Sequence, residues 1–545
     1  MSATDVLVVG AGPTGLTLAC ELARHGARFR IVDKNAVPTD QSRATDMQAR
    51  TLEILDAMGI VHAALARGHV ARKIAFYSGG ESIGKLALDV LDSPYACILG
   101  ISQQATETLL AERLAELGAR VERPVEITSF AQDVEGVTAR LASGDEIRAR
   151  YLVACDGANS TVRQALKLSF EGLTYEESFL LADAHVAWEM PRDESGIFFS
   201  DEGFVVALPM PGERNMRIFV NASPEDEPTL ETFERFFETR VGVPVTLSNP
   251  GWCSRFRLHR RKIDCFRHGR IFLAGDAAHI HSPVGGQGMN LGMQDAYNLA
   301  WKLALVLRGR GTEALLDSYD PEREPLAELV LGETHRGTTM ALLENRIATA
   351  LRDMFMGLVS RFAPMAKKML ATQAELSWSY AHSPIVGEKR RSVLAANVGA
   401  DPMSERATVG EHFAFGNAPH PGERAPDVRF GDTRLFDVLR GTKHSLLLFD
   451  GRATTAHGYA RIAAIARRAA SYTDVMSVHT IVPRAERPSE LADLSVLHDP
   501  ESELHARYGA GAECMYLIRP DGYVGYRSQP ADEEGLFAHL AMLFA

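Results

Sequence analysis

The chain has 545 residues, room for two to four domains at ~150 residues each. Its 46% hydrophobic and 23% charged residues are ordinary for a globular protein. Its net charge of −12 argues against nucleic acid or an anionic membrane as partner, since both need a concentrated basic surface. Six scattered cysteines form no CxxC pair and no zinc-ligand spacing, so idle thiols and no metal are expected. The first strand follows Met1 within five residues, and no run of ~18 apolar residues occurs, so a cytoplasmic protein without a leader is expected.

Residues 4–9 read as a short apolar strand and 10–15 as a turn; Leu16, Ala19, Cys20 and Ala23 then recur at helical spacing, and 28–32 is a second strand. Residues 76–100 are strand-like around a Gly79-Gly80 hairpin signal, 104–117 form a helix, and 121–154 hold several short strands. Residues 179–250 alternate with period two, as a sheet with one apolar face does, and 290–307 and 312–375 are mostly helical. Prolines and glycines mark a linker-rich stretch near 380–430, and 443–545 alternates strand and helix as a separate small α/β domain.

Three motifs carry the chemistry. In Gly10-Ala11-Gly12-Pro13-Thr14-Gly15, Gly10 permits the tight turn, Gly12 lets backbone approach a pyrophosphate, and Gly15 lets helix and strand pack closely. The helix start then offers amides and a positive dipole to phosphate, and Asp33, ending the second strand, can accept from both ribose hydroxyls. That unit calls for an ADP-containing cofactor without choosing between FAD and NAD. The second motif, Tyr151 to Arg163, is a strand ending in Asp156-Gly157 before a helix with an arginine one turn in. The third is an apolar strand ending in Gly275-Asp276, where an Asp can hold the ribityl hydroxyls of a flavin. The loop Pro283–Asn290 follows; its glycines 285, 286 and 288 let backbone approach a flat ring, and the helix beginning near Asn290 points amides at the ring edge where reduced flavin is negative.

Together these motifs resemble the class A flavoprotein aromatic hydroxylases of the para-hydroxybenzoate hydroxylase type. Over residues 1 to about 330 the three occur in the expected order. Ser42-Arg43-Ala44, Gln103 to Glu107, Tyr175-Glu176-Glu177, Gln294-Asp295-Ala296 and Tyr319 to Arg323 also match. Arg507-Tyr508-Gly509 and Leu517 to Tyr523 resemble the C-terminal domain of the phenol-type group, which includes pentachlorophenol 4-monooxygenase and 3-(3-hydroxyphenyl)propionate hydroxylase.

The resemblance implies an α/β fold: a Rossmann-like FAD-binding domain with an inserted β-sheet substrate domain and a C-terminal thioredoxin-like α/β domain. We divide it as 1–75, 101–178 and 256–395 for FAD, 76–100 and 179–255 for substrate, and 396–545 for the thioredoxin-like part. It further implies that Gly12, Gly15 and Asp33 bind the ADP half, Arg43 sits beside the flavin or its diphosphate, and Gln103 contacts the ribityl region. Asp156 and Gly157 would touch both FAD and NAD(P)H, Asp276 the ribitol, and Gly288, Met289 and Asn290 the isoalloxazine edge. No second GxGxxG follows a strand, which fits an NADPH or NADH co-substrate that docks transiently. The implied reaction is hydroxylation of a phenolic aromatic with NAD(P)H and O2 through a flavin hydroperoxide, which must be shielded from water.

For the substrate pocket, the period-two strands offer Phe198, Phe199, Phe204, Val206, Leu208, Met210 and Phe219, and the candidate bases are His185 and Tyr77. His279 and His281 on the flavin loop read as structural. The single Cys514 of the last domain excludes an internal redox pair there. Met340, Leu343, Ile347, Leu351, Met354 and Leu358 recur at helical spacing, as packing or the face of a homodimer. The alternatives are a polycyclic polyketide as substrate, a non-oxygenating flavin reductase, and a non-catalytic flavoprotein.

Overall fold

The structure, a computed structural model, describes residues 2–39, 44–282, 285–343, 345–390, 408–451 and 459–545. Arg43 and Pro283 therefore lie outside the described residues, as does the 391–407 part of the linker-rich stretch. Two compact units emerge, one of Met1–Tyr297 with Arg323–Leu376, the other of Asn298–Glu322 with Ser377–Ala545. This differs from the sequence division, which left 298–322 with the FAD-binding part.

In the first unit, strand Ser2–Val9 lies parallel between Phe29–Val32 and Glu146–Ala154, and Ile271–Leu273 continues the parallel set. Val6, Leu7 and Val8 are wholly buried, as expected of a strand covered on both faces. The register aligns Val9 with Val32 and Ala154, and Ala154 with Leu273. Gly10, Asp156 and Asp276 thus follow strands that end side by side, at the carboxyl edge where such sheets bind ligands.

A second sheet has eight strands in the order His279–Ile280, Leu247–Lys262, Glu171–Val186, Asn215–Ala222, Gly203–Pro209, Glu194–Ser200, Lys73–Ser78 and Glu81–Ala87. It joins the two expected sheet segments, because Lys73–Ser78 pairs in parallel with Glu194–Ser200. Ile98–Gly100 departs from that expectation and pairs instead with Asp46–Met47 and His69–Ala71. Helices Arg346–Arg361 and Ala363–Gln373 follow, and Met356, Val359, Ala366 and Leu370 share a core with Phe76, Phe179, Phe204 and Phe219.

The second unit has a six-stranded sheet. His444–Gly451 is central, parallel to Met476–Val482 and antiparallel to Ala512–Ile518, which forms a hairpin with Val524–Gln529. With helices Ala460–Ala469 and Glu533–Leu543, this is strand-helix-strand followed by hairpin and helix, the thioredoxin-like arrangement. Cys514 is buried on its inner hairpin strand. The segment 298–322 belongs here because its polar side chains are bonded within this unit. Arg519 donates to both Glu322 oxygens at 2.6 and 2.8 Å, and Trp301 to Asp521 at 3.1 Å. Lys302 pairs with Glu322 at 2.6 Å. Among the described residues no helix is long and apolar enough to cross a membrane, and no cluster of His, Cys, Asp or Glu could hold a metal.

Candidate active site

One cavity of 1180 Å³ lies in the first unit, lined both by Gly10, Ala11, Gly12 and Asp33 of the glycine-turn region and by Phe204 and Phe219 of the second sheet. At the glycine turn, a Cβ on Gly10 would overlap the Cys155 carbonyl, and one on Gly15 would overlap the Gly10 carbonyl. A Cβ on Gly12 would meet nothing within 4 Å. Gly10 and Gly15 are therefore demanded by the protein's own packing, whereas Gly12 leaves space on a cavity wall. Helix Pro13–Arg24 begins at Gly12 with no side-chain cap and no acid in its first turn, so its dipole is left for an anion. We expect Gly12→Ala to leave the thermal midpoint of the apoprotein unchanged while weakening FAD binding at least ~10-fold, and Gly15→Ala to lower that midpoint. Flavin-fluorescence titration and differential scanning fluorimetry read the two effects.

Asp33 is held on both sides: Oδ2 accepts from the Ala11 amide at 2.8 Å, and Oδ1 pairs with Arg123 Nη1 at 2.9 Å. Arg123, which also lines the cavity, escaped the sequence reading. Gln103 bridges Glu107, to which Nε2 donates at 2.9 Å, and the Ala44 amide at 3.3 Å. Asp156 Oδ2 accepts from the amides of Thr161 and Val162 at 2.8 and 3.2 Å, while its buried Oδ1 has no partner. Burial pushes this carboxyl up, against the hydrogen bonds from Ser160 and the Val162 and Thr161 amides. Arg163 stacks 3.8 Å over Phe170 and donates to the carbonyls of Ala277 at 3.0 Å and Ala158 at 2.6 Å, tying the second motif to the third. Asp276 is exposed along the cavity. The Gly275 amide donates to buried Asp295 at 2.9 Å, with His279 Nε2 on the same carboxylate oxygen at 2.7 Å. An open glycine wall, an uncapped helix start and an orphaned carboxylate oxygen fit the residues present to a dinucleotide such as FAD.

Gly285, Gly286 and Gln287, with Gly288 and Met289 at the start of helix Gly288–Leu307, also line the cavity. Gly288 and Met289 face it, but Asn290 does not. The fully buried Asn290 side chain accepts from the Gln48 amide at 3.0 Å and donates to the carbonyls of Asp46 and Gly286 at 2.8 and 2.7 Å. It shapes the loop, where a ring contact was expected. His281 lines the cavity, and burial pushes its imidazole down to about 4, so it is neutral at pH 7. Its Nδ1 faces the Ser282 carbonyl at 2.8 Å and its buried Nε2 has no partner.

Much of the remaining lining is apolar. Ile197, Phe199, Phe204, Val206, Leu208 and Phe219 line the cavity from the sheet, and Met340, Met356, Met365 and Met369 from the helices. Four of the sequence candidates are absent from this lining. Phe198 and Tyr77 stack on each other at 4.6 Å in the core behind the sheet. They alternate with Phe199 and Phe76, which do face the cavity; the error is one residue of strand register. Met210 lies past the end of its strand, where its amide bonds Asn215. His185 lies four residues beyond Leu181, about 13 Å along the strand, and contacts Ser248 Oγ at 3.4 Å.

The ionisable pair at the sheet wall is different. Arg217 donates to both oxygens of Asp183 at 2.7 Å each, across the strands, and lines the cavity with Asp46. Burial pushes the Asp46 carboxyl up to about 6, against the pull of Arg217. Asp46 sits one position ahead of the buried Met47 on a two-residue strand and adjoins the loop: a Cβ on Gly286 would crowd its side chain.

Residues 3–334 match the model of the family described as FAD binding domain, and 418–545 that described as aromatic-ring hydroxylase, C-terminal. The 6-methylpretetramide 4-monooxygenase of Streptomyces rimosus is 32% identical, covering 99% of this chain and 93% of its own. The pentachlorophenol 4-monooxygenase of Sphingobium chlorophenolicum is 30% identical over 96% of this chain and 93% of its own. The solved structure of the OxyS anhydrotetracycline hydroxylase from Streptomyces rimosus superposes with a TM-score of 0.73 at 28% identity, covering 99% of each chain.

Proposed function

The chain belongs to the class A flavoprotein aromatic hydroxylases, and from that premise we propose that it hydroxylates a phenolic ring held against the apolar lining of the cavity, using a nicotinamide and O2. The observation that carries this reading is that one cavity is lined by the Gly10–Gly12 turn, by residues 285–289 and by Phe204 and Phe219. Bound FAD supplies two-electron redox chemistry and the activation of O2. Gly12, the Pro13–Arg24 helix start, Asp33, Gln103, Asp156, Gly157 and Asp276 would hold the cofactor, with Gly288 and Met289 of the same cavity lining on its flavin side.

The chain's own part in the oxidation is to desolvate and to move one proton. The phenylalanine and methionine walls exclude water from the ring. Asp46 takes the proton of the ring hydroxyl, and Arg217, fixed by Asp183, stabilises the oxyanion left behind; the ring carbon becomes more nucleophilic as a result. His185 and Tyr77 are not assigned this role, because neither faces the cavity. A second reading, a multi-ring phenol, is supported by the four flexible methionines on the helical wall, which adapt to large ligands.

The test is a screen of single-ring and multi-ring phenols with the yellow holoenzyme, following NAD(P)H oxidation together with product mass. A phenol that speeds oxidation in step with a product heavier by one oxygen is the expected result. Failure of every aromatic to stimulate oxidation would refute the proposal.

A further inference from the structure

Helix Arg346–Arg361 turns an apolar face to solvent. Ile347, Leu351, Met354 and Leu358 are 74, 55, 67 and 59% exposed, and Phe362, just past the helix, is 55% exposed. Their spacing of four, three, four and four residues puts them on one stripe. A contiguous stripe of this kind marks an interaction surface, unlike a lone exposed leucine. The opposite face is occupied: Met356 and Val359 are buried in the cavity wall, and Arg352 stacks 4.0 Å from Phe199 while pairing with Asp353 at 2.8 Å.

Charge identifies what covers the stripe. Helices Arg346–Arg361 and Ala363–Gln373 hold five Arg or Lys and a single acid, Asp353, in a chain whose net charge is −12. Arg352 and Asp353 neutralise each other and Lys368 lines the cavity, so the excess is positive, with Arg361 exposed next to Phe362 of the stripe and Lys367 exposed on the following helix. A second copy is a poor occupant: a two-fold contact through this face sets basic flank against basic flank. An apolar stripe bordered by cations on a helix too short to span is the pattern of a helix lying in an anionic membrane interface. We propose that the Arg346–Arg361 helix docks the enzyme on an anionic lipid surface, its apolar stripe among the headgroups and Arg361 and Lys367 against the lipid phosphates. The net charge of −12, which argues against an anionic membrane for the chain as a whole, acts weakly at this face, because screening confines each field to about a Debye length, ~8 Å at physiological salt. Docking also brings Met356 and Val359, on the inner side of the same helix, close to the bilayer, where apolar aromatics partition. That consequence rests on the proposed function; the docking does not.

The experiment is co-sedimentation of the full-length holoenzyme with vesicles of phosphatidylcholine alone or mixed with phosphatidylglycerol. The holoenzyme should pellet with the mixed vesicles and be released by salt. Leu351→Asp/Leu358→Asp should bind at least ~10-fold more weakly while keeping its flavin spectrum and its turnover of a water-soluble phenol. Arg361→Gln/Lys367→Gln should lose the preference for phosphatidylglycerol, and serves if the first variant fails to fold. Holoenzyme left in the supernatant overturns the proposal, as does binding unchanged in both variants. A dimer by light scattering that Leu351→Asp/Leu358→Asp dissolves, without vesicle binding, overturns it in favour of a second copy.

Discussion

Asp46→Asn is expected to lower kcat/KM for a phenol about 100-fold, within the range for loss of a general base, with FAD still bound. The reason lies in the pairing of charges at the sheet wall. Arg217 is bonded through both ends of its fork to Asp183, so its guanidinium is fixed before any substrate arrives. Asp46 shares the cavity with it but is not its hydrogen-bonding partner in that fork, which leaves the carboxylate able to accept from a ring hydroxyl. The pH dependence follows with a definite sign. With its carboxyl pushed up to about 6 by burial, Asp46 is a base only above that pH, so kcat/KM rises through about pH 6 and flattens above it. In Asp46→Asn the rise disappears. Folding shows the opposite slope: between about pH 4 and 6 the folded protein keeps a proton at Asp46 that the unfolded chain has lost, so this group costs stability as pH rises, and the variant removes that slope. Rate profiles and thermal scans across pH 4–8 measure both. An Asp46→Asn enzyme with wild-type kcat/KM at pH 8 would remove Asp46 from the mechanism.

The parts of the site legible in the sequence are those whose demands are local. Gly10 and Gly15 are forced by backbone atoms of the same turn and the adjoining strand, and the acids at 156 and 276 lie in the short turns just past strands Glu146–Ala154 and Ile271–Leu273. What stayed hidden depends on distant partners. Period two in 194–209 says that the strands have two faces, not which one is the cavity, so Phe198 and Phe199 were indistinguishable until the neighbouring strands set the register. Asn290 stands in the first turn of the helix Gly288–Leu307, yet its side chain serves Gln48, 242 positions away. Asp46 reads as an ordinary polar residue until Arg217 is brought near it. The place of 298–322 likewise depends on Arg519 and Asp521, about two hundred positions on.

The largest effect on stability is expected at Asp295, where a carboxylate wholly out of solvent organises the third motif. Its Oδ2 accepts from the Gly275 amide and His279, and its Oδ1 pairs with Arg323 Nε at 2.7 Å, both side chains 0% exposed. Burial acts to raise this carboxyl, but Arg323, His279 and the Gly275 amide outweigh it and hold it below the ordinary range. Asp295→Ala breaks a fully buried ion pair by removing the carboxylate to which Arg323 Nε donates, a change that costs about 3–5 kcal/mol. Arg323→Met leaves the carboxylate charged and costs a similar amount. In the double variant no charge is stranded, so its loss should be smaller than the sum of the single losses, and a double-mutant cycle of thermal midpoints at one scan rate measures the difference. Additive losses would mean that the two side chains act independently. The cofactor reports the same event from the other side. Gly275 fixes the turn that presents Asp276 to the cavity, so releasing its amide should weaken FAD binding even where the variant still folds, whereas a core substitution of equal cost elsewhere, such as Leu316→Ala in the other unit, should leave FAD affinity unchanged.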